Sequence, residues 1–122
     1  MKDILTFKPI QALQHSLDEK ADPKTKTWWE AYMKGAILFR GVEMADIRAV
    51  LHDWLRIAGI RPGLTGEEQK ELAFALFRET YSEDKLAGVL FFAEVLIPQG
   101  DVDWREDLPR FAALFQDGYI YE

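Results

Sequence analysis

Apolar residues recur at helical spacing along almost the whole chain, and the polar punctuation between them sets six segments apart. Pro9 suits a first helical turn, and Ile10, Leu13 and Leu17 follow at i, i+3 and i+7. Asp22 before Pro23 predicts an N-cap for a second helix running to about Lys34, with Gly35 as its stop. A third helix is expected over about Glu43 to Ala58, where Ile47, Val50, Leu51, Trp54 and Leu55 form one stripe before Gly59. Arg61-Pro62-Gly63 is a turn, and Thr65 with Glu68 is a capping box opening a fourth helix to about Thr80. Ser82 is expected to cap a fifth helix to about Ile97, broken by the Pro98–Asp101 segment. Asp107 and Pro109 predict the start of a sixth, after a short turn at Asp103 and Trp104, and Gly118 stops it.

No sustained alternation marks a strand, and Ala36 to Phe39 is the only short apolar run that could be one. The reading is all-α, about six helices in three antiparallel pairs within a single domain. The fifth helix is apolar nearly all round, through Leu86, Val89, Leu90, Phe91, Phe92, Val95 and Leu96. Such a helix must be covered on several sides, as in stacked helical pairs. No strict repeat period is present, so a plain six-helix globule fits the periodicity equally well.

The chain has 122 residues, no cysteine and a formal net charge of −6. Disulfides, thiolate metal sites and a cysteine nucleophile are excluded. The N-terminus lacks the apolar run of a signal peptide, and the run from Leu86 to Pro98 is too short to span a bilayer. A cytoplasmic protein without membrane contact is expected. The acidic balance argues against an obvious nucleic-acid binder, yet Lys20 to Arg40 holds five basic and two acidic residues, a local net of +3. That segregation fits either one cationic face or an ordinary solvated helix face.

Candidate chemistry is sparse. His15 and His52 lack a second ligand at i+3 or i+4, no phosphate-binding loop follows the glycines, and no metal or cofactor is expected. Ser16 and Ser82 read as helix residues or caps. Glu67-Glu68, Glu83-Asp84 and Glu106-Asp107 all fall in first helical turns, where the helix dipole favours negative charge. Asp101 and Asp103 amount to an incomplete calcium loop. Trp28 and Trp29 point about 100° apart on a helix, while Tyr32 shares the face of Trp28. With Lys34 and Arg40 near, that face suits a nucleotide backbone; equally, Trp28 and Tyr32 form an i, i+4 core pair. Trp104 is expected to be a packing anchor.

Three stretches carry a family resemblance: Tyr32-Met33-Lys34 with Phe39-Arg40-Gly41-Val42, Ser82-Glu83-Asp84-Lys85 with Ala87, and Trp104 through Tyr121. Together they resemble the HEAT-like-repeat DNA alkylation repair enzymes, the alkylpurine DNA glycosylases, over about Asp22 to Glu122. The resemblance implies a HEAT-like, ARM-type right-handed superhelix holding duplex DNA on a basic concave face. It implies excision of cationic N3- or N7-alkylated purines by hydrolysis of the N-glycosidic bond, where a carboxylate and aromatic rings stabilise the sugar cation. It places Tyr32 beside the lesion and makes Lys34, Arg40 and Arg48 candidates for backbone contact or structural pairing. Lys24 and Lys26 join them as candidate phosphate contacts.

The Trp-x-x-x-Asp motif that carries the family's catalytic carboxylate has no counterpart, because Tyr32, Met33, Ala58 and Leu108 occupy the fourth position after the four tryptophans. The expectation is therefore an N-terminal portion of a repair protein, inactive alone, with no catalytic residue of its own. The alternative is a non-catalytic helical-repeat scaffold that binds protein or DNA. The apolar ending, Phe115, Tyr119, Ile120 and Tyr121, points to self-association.

Overall fold

The computed structural model describes residues 2–32 and 37–119, with side chains described for residues 9–31 and 37–119. Helix α1 spans Lys2–Glu19, α2 Pro23–Tyr32, α3 Met44–Ile57 and α4 Gly66–Phe77. Helix α5 begins as Ser82–Phe91, passes through π-helical Phe92–Leu96 and finishes as Ile97–Gln99; α6 spans Trp104–Gln116. Among the described residues these six helices are joined by turns, and no strand occurs. Ile37 to Arg40 is irregular backbone rather than a strand.

Local chemistry accounts for most boundaries. Thr65 accepts from the Glu68 N–H while the Glu68 carboxylate receives the Thr65 N–H, so the capping box forms at 3.1 and 2.9 Å. Asp22 Oδ1 accepts from the Lys24 N–H at 2.9 Å at the start of α2. The predicted α3 stripe of Ile47, Val50, Leu51, Trp54 and Leu55 is buried throughout.

Several boundaries differ from the pattern: α4 ends at Phe77 rather than about Thr80, and α5 continues through Pro98 to Gln99. Helix α1 runs through Pro9 instead of starting there, since proline keeps a helical φ and forfeits a single N–H bond. Tyr81, not Ser82, is the N-cap of α5, and no side chain caps it. Helix α6 opens at Trp104, because the Asp103 side chain accepts from the Arg105 N–H at 3.0 Å. Asp107 is drawn inward to Lys70 at 3.1 Å and so cannot serve as the cap. Trp104 stays 53% exposed and is not a packing anchor, because it lies on the outer side of α6.

The core is layered. Helix α5 lies between α3 and α4, and α1 packs on both α3 and α4. The four-residue link between α4 and α5 makes an antiparallel hairpin. Phe74, Phe77, Phe92 and Phe111 join α4, α5 and α6 in one aromatic cluster with centroids 4.9 to 6.3 Å apart. Trp54 of α3 meets Phe91 edge-on at 6.2 Å and donates its indole N–H to the Pro9 carbonyl at 2.7 Å. The fold is all-α, and its helix packing is consistent with a helical-repeat superhelix.

Phe91 of α5 is fully buried and packs against Trp54 of α3. Its truncation to alanine should cost about 3–5 kcal/mol, read from the urea unfolding midpoint. A loss under about 1 kcal/mol would show that the α3–α5 contact is not central to stability.

Candidate nucleic-acid interface

The irregular backbone of residues 37–43, ahead of α3, would leave its N–H groups without partners if the chain supplied only helices. Glu83 supplies the partner. Its carboxylate, 1% exposed, accepts the N–H of Arg40 at 2.8 Å on one oxygen and those of Gly41 and Val42 at 2.9 and 3.1 Å on the other. Gly41 adopts a φ of +95°, and a Cβ there would lie 2.5 Å from the Asp22 carbonyl oxygen and 2.7 Å from Lys26 Cβ. Only glycine fits on both counts. The Gly41 carbonyl in turn accepts the Asp22 N–H at 2.8 Å, which ties down the start of α2.

Asp84, also fully buried, holds the neighbouring guanidinium. Arg40 Nε and Nη2 donate to its two oxygens at 2.9 and 3.1 Å, and Nη1 donates to Asp18 Oδ1 at 2.6 Å. Gln14 adds a bond to Asp84 at 2.9 Å, and the guanidinium carbon lies 4.2 Å from the Tyr81 ring centroid. Burial works against the charge of Arg40, but hydrogen bonding and attraction from Asp84 and Asp18 outweigh it and hold the group above its ordinary value. Two of the sequence stretches that carry the family resemblance, Arg40-Gly41-Val42 and Ser82 to Lys85, are therefore halves of one clamp.

Above this clamp lies a hollow of about 800 Å³. Lys24, Thr25, Trp28 and Trp29 of α2 line it, with Phe39, Val42, Glu43, Met44, Ile47, Glu83 and Leu86 opposite. Trp28 meets Trp29 edge-on at 4.9 Å, and Trp29 stacks on Phe39 at 5.8 Å. Trp28 keeps 59% of its surface exposed. The wall is apolar and aromatic, with an ammonium at the rim.

The structure distributes the sequence candidates unevenly. Lys24 and Lys26 are exposed on α2, and among the described residues no ion pair holds either. Lys24 shares the hollow with Trp28, four residues on; Lys26 lies toward Gly41. Of the two roles left open for Arg40, structural pairing is what its geometry fulfils. Arg48 is half-exposed and donates to Glu94 Oε2 at 2.7 Å, while His52 Nε2 lies 2.8 Å from Oε1. Lys34 and the Tyr32 side chain lie outside the described residues, as do Ile120 and Tyr121. The Asp101–Asp103 pair is engaged elsewhere: Asp101 accepts from Gln99 at 2.8 Å, and Asp103 caps α6.

Sequence reading missed Glu83 and Asp84 as the organising pair. Both were explained as first-turn acids, and local periodicity holds no sign that they turn inward. The one available signal was their company, an Arg-Gly-Val elsewhere in a chain with matching acids.

A family model described as DNA alkylation repair enzyme matches residues 13–118 of the chain. No curated protein and no solved structure matches it significantly.

Replacing Glu83 by alanine would leave three converging N–H donors without their acceptor. At about 1–3 kcal/mol for each group left unsatisfied, the loss should exceed about 3 kcal/mol in chemical unfolding. A change under 1 kcal/mol would mean that solvent replaces the carboxylate freely.

Hydrogen bonds from His52 and then Arg48 hold the Glu94 carboxyl below the usual glutamate range, against a small opposing effect of burial. A lowered folded value means that its contribution to stability is complete above about pH 5 and fades as pH falls through the folded value. Glu94→Gln should therefore flatten the acid limb of a stability–pH profile measured by thermal melts. An unchanged limb would remove this pair from the account.

Proposed function

The chain belongs to the DNA alkylation repair enzyme family, and from that premise we propose that its α2 face takes up the backbone of duplex DNA carrying an alkylated purine. The observation that carries the reading is the placing of Lys24 and Trp28 on one helix face at the edge of a hollow of about 800 Å³. A phosphate meets the ammonium at the rim, and sugar and base edges lie against the aromatic wall. Lys26 extends the contact along the duplex, and the family resemblance adds Lys34 and, beside the lesion, Tyr32; Arg48, paired with Glu94, takes no direct part. Arg40 takes no part beyond holding the clamp.

Binding and excision separate in this chain. Release of a cationic alkylpurine needs a carboxylate placed against the sugar as positive charge develops there. Glu83 lines the hollow, but both of its oxygens already accept backbone N–H groups. Glu43, the other acid in the lining, is solvent-exposed and therefore screened. With no Trp-x-x-x-Asp in the sequence, these 122 residues contribute recognition, and the excising carboxylate belongs to a chain that carries that motif. The net charge of −6 favours a second reading, a scaffold whose partner is a protein.

Fluorescence anisotropy with a duplex containing N7-methylguanine, titrated at several salt concentrations, distinguishes the two. The DNA reading expects log K to fall with log salt by about 0.9 per phosphate contact, and Lys24→Ala to reduce that slope by up to about one unit. No binding even at low salt would discard it in favour of the scaffold. Chromatography of the same mixtures should detect no free N7-methylguanine; a released base would overturn the separation of binding from excision.

A further inference from the structure

Helix α2 has ten residues and, among its described side chains, sends none into the buried core. A helix so short has little of its own to fix where its lysines stand. Yet the backbone at both Lys24 and Lys26 is held by one residue. Asp22 accepts the Lys24 N–H on its side-chain Oδ1 at 2.9 Å and the Lys26 N–H on its main-chain carbonyl at 2.9 Å. It donates its own N–H to the Gly41 carbonyl at 2.8 Å, and Gly41 donates its N–H to the buried Glu83 carboxylate at 2.9 Å. A continuous run of hydrogen bonds therefore leads from α5 to the two lysines of α2. The run admits no side chain at Gly41, where a Cβ would stand 2.9 Å from the Lys26 nitrogen.

We infer that Asp22 is a positioning residue for recognition, an acid that touches no DNA but sets Lys24 and Lys26 where a phosphate backbone meets them. This role rests on the proposed DNA face of α2 and names what orients it. Asp22 is exposed and lies two and four residues from the lysines. By charge alone it repels a polyanion, and its removal should strengthen binding. By position it does the opposite. Without its carboxylate the Lys24 N–H loses its acceptor, the first turn of α2 frays, and the Lys26 bond to the Asp22 carbonyl closes less often.

The two effects separate because asparagine and alanine remove the same charge. Asparagine keeps an Oδ1 acceptor and caps helices about as well as aspartate, whereas alanine keeps none. A purely electrostatic role for Asp22 makes the two variants equal. A positioning role makes alanine the weaker. A loss of global stability does not mimic that difference, because affinity is read on folded protein below the melting range of either variant.

Anisotropy titrations with the N7-methylguanine duplex at low salt should show Asp22→Asn binding at least as tightly as the unmodified chain. Asp22→Ala should bind about fivefold more weakly than Asp22→Asn, the size of one lost cap. In a Lys24→Ala, Lys26→Ala background that difference should vanish, since neither cation is left to position. Without DNA, amide hydrogen exchange at Lys24 and Lys26 should speed at least about fivefold in Asp22→Ala and stay unchanged at Leu51 in the core. Circular dichroism at the titration temperature checks that both variants are folded. Equal affinities for the two variants, or a difference that survives removal of both lysines, overturn the inference and leave the DNA reading standing. Unchanged exchange at Lys24 overturns it as well. A chain that binds no DNA even at low salt discards the DNA reading and this role together.

Discussion

One carboxylate governs how the N-terminal third of the molecule sits on the rest. Residues 37–43, ahead of α3, have no helical partners for their N–H groups, and three of these converge on Glu83. Burying a carboxylate is costly unless its lone pairs are filled, and leaving three amide donors empty is costly as well. Joined, the two problems cancel, and the segment acquires one conformation. Asp84 extends the effect: through Arg40, Asp18 and Gln14 it connects α5 to α1. Among its described side chains, helix α2 contributes none to the buried core, so its position relative to the hollow follows from this clamp and from the glycine that lets the backbone pass close to Asp22 and Lys26.

The same principle recurs on the opposite side. Lys70 is buried, yet it meets Asp107, Glu67 and the Asp101 carbonyl oxygen, so its charge is compensated where the protein is driest. Arg110 grips Glu71 with two bonds at 2.9 and 3.1 Å while lying over the Phe74 ring. These ties cross-link α4 and α6 around the phenylalanine cluster. A further consequence concerns function. Arg40, Arg48, Lys70 and Arg110 are all committed to carboxylates within the fold, so net charge alone says little about what remains for a ligand. The lysines of α2 stand apart from that internal pairing, which is how an acidic chain keeps a small cationic rim.

The π-helical turn at Phe92–Leu96 fits this scheme. An extra residue in one turn changes which side chains face outward. Here Phe92, Val95 and Leu96 are all buried, while Glu94 between them reaches Arg48 and His52 on α3. A regular helix has less freedom to bury three large apolar groups in five residues and still send a carboxylate to a neighbouring helix. The turn therefore marks where core packing and the α3–α5 ion pair are reconciled.

Local chemistry was legible in the sequence because it acts over a few residues. The 3.6-residue spacing defined α3 and its buried stripe, Thr65 and Glu68 formed the capping box, and the absence of alternation excluded strands. The all-α class and the family followed from the same letters. What depended on contacts between distant segments was hidden. Glu83 and Asp84 look like any first-turn acids until Arg40, Gly41 and Val42, more than forty residues earlier, are brought against them. Arg40 reads as a cation for a phosphate until Asp84 and Asp18 surround it. Trp104 reads as core until α6 turns that face outward. Periodicity reports which side chains share a face; only packing decides which face meets a partner, and which buried charge finds its counterpart.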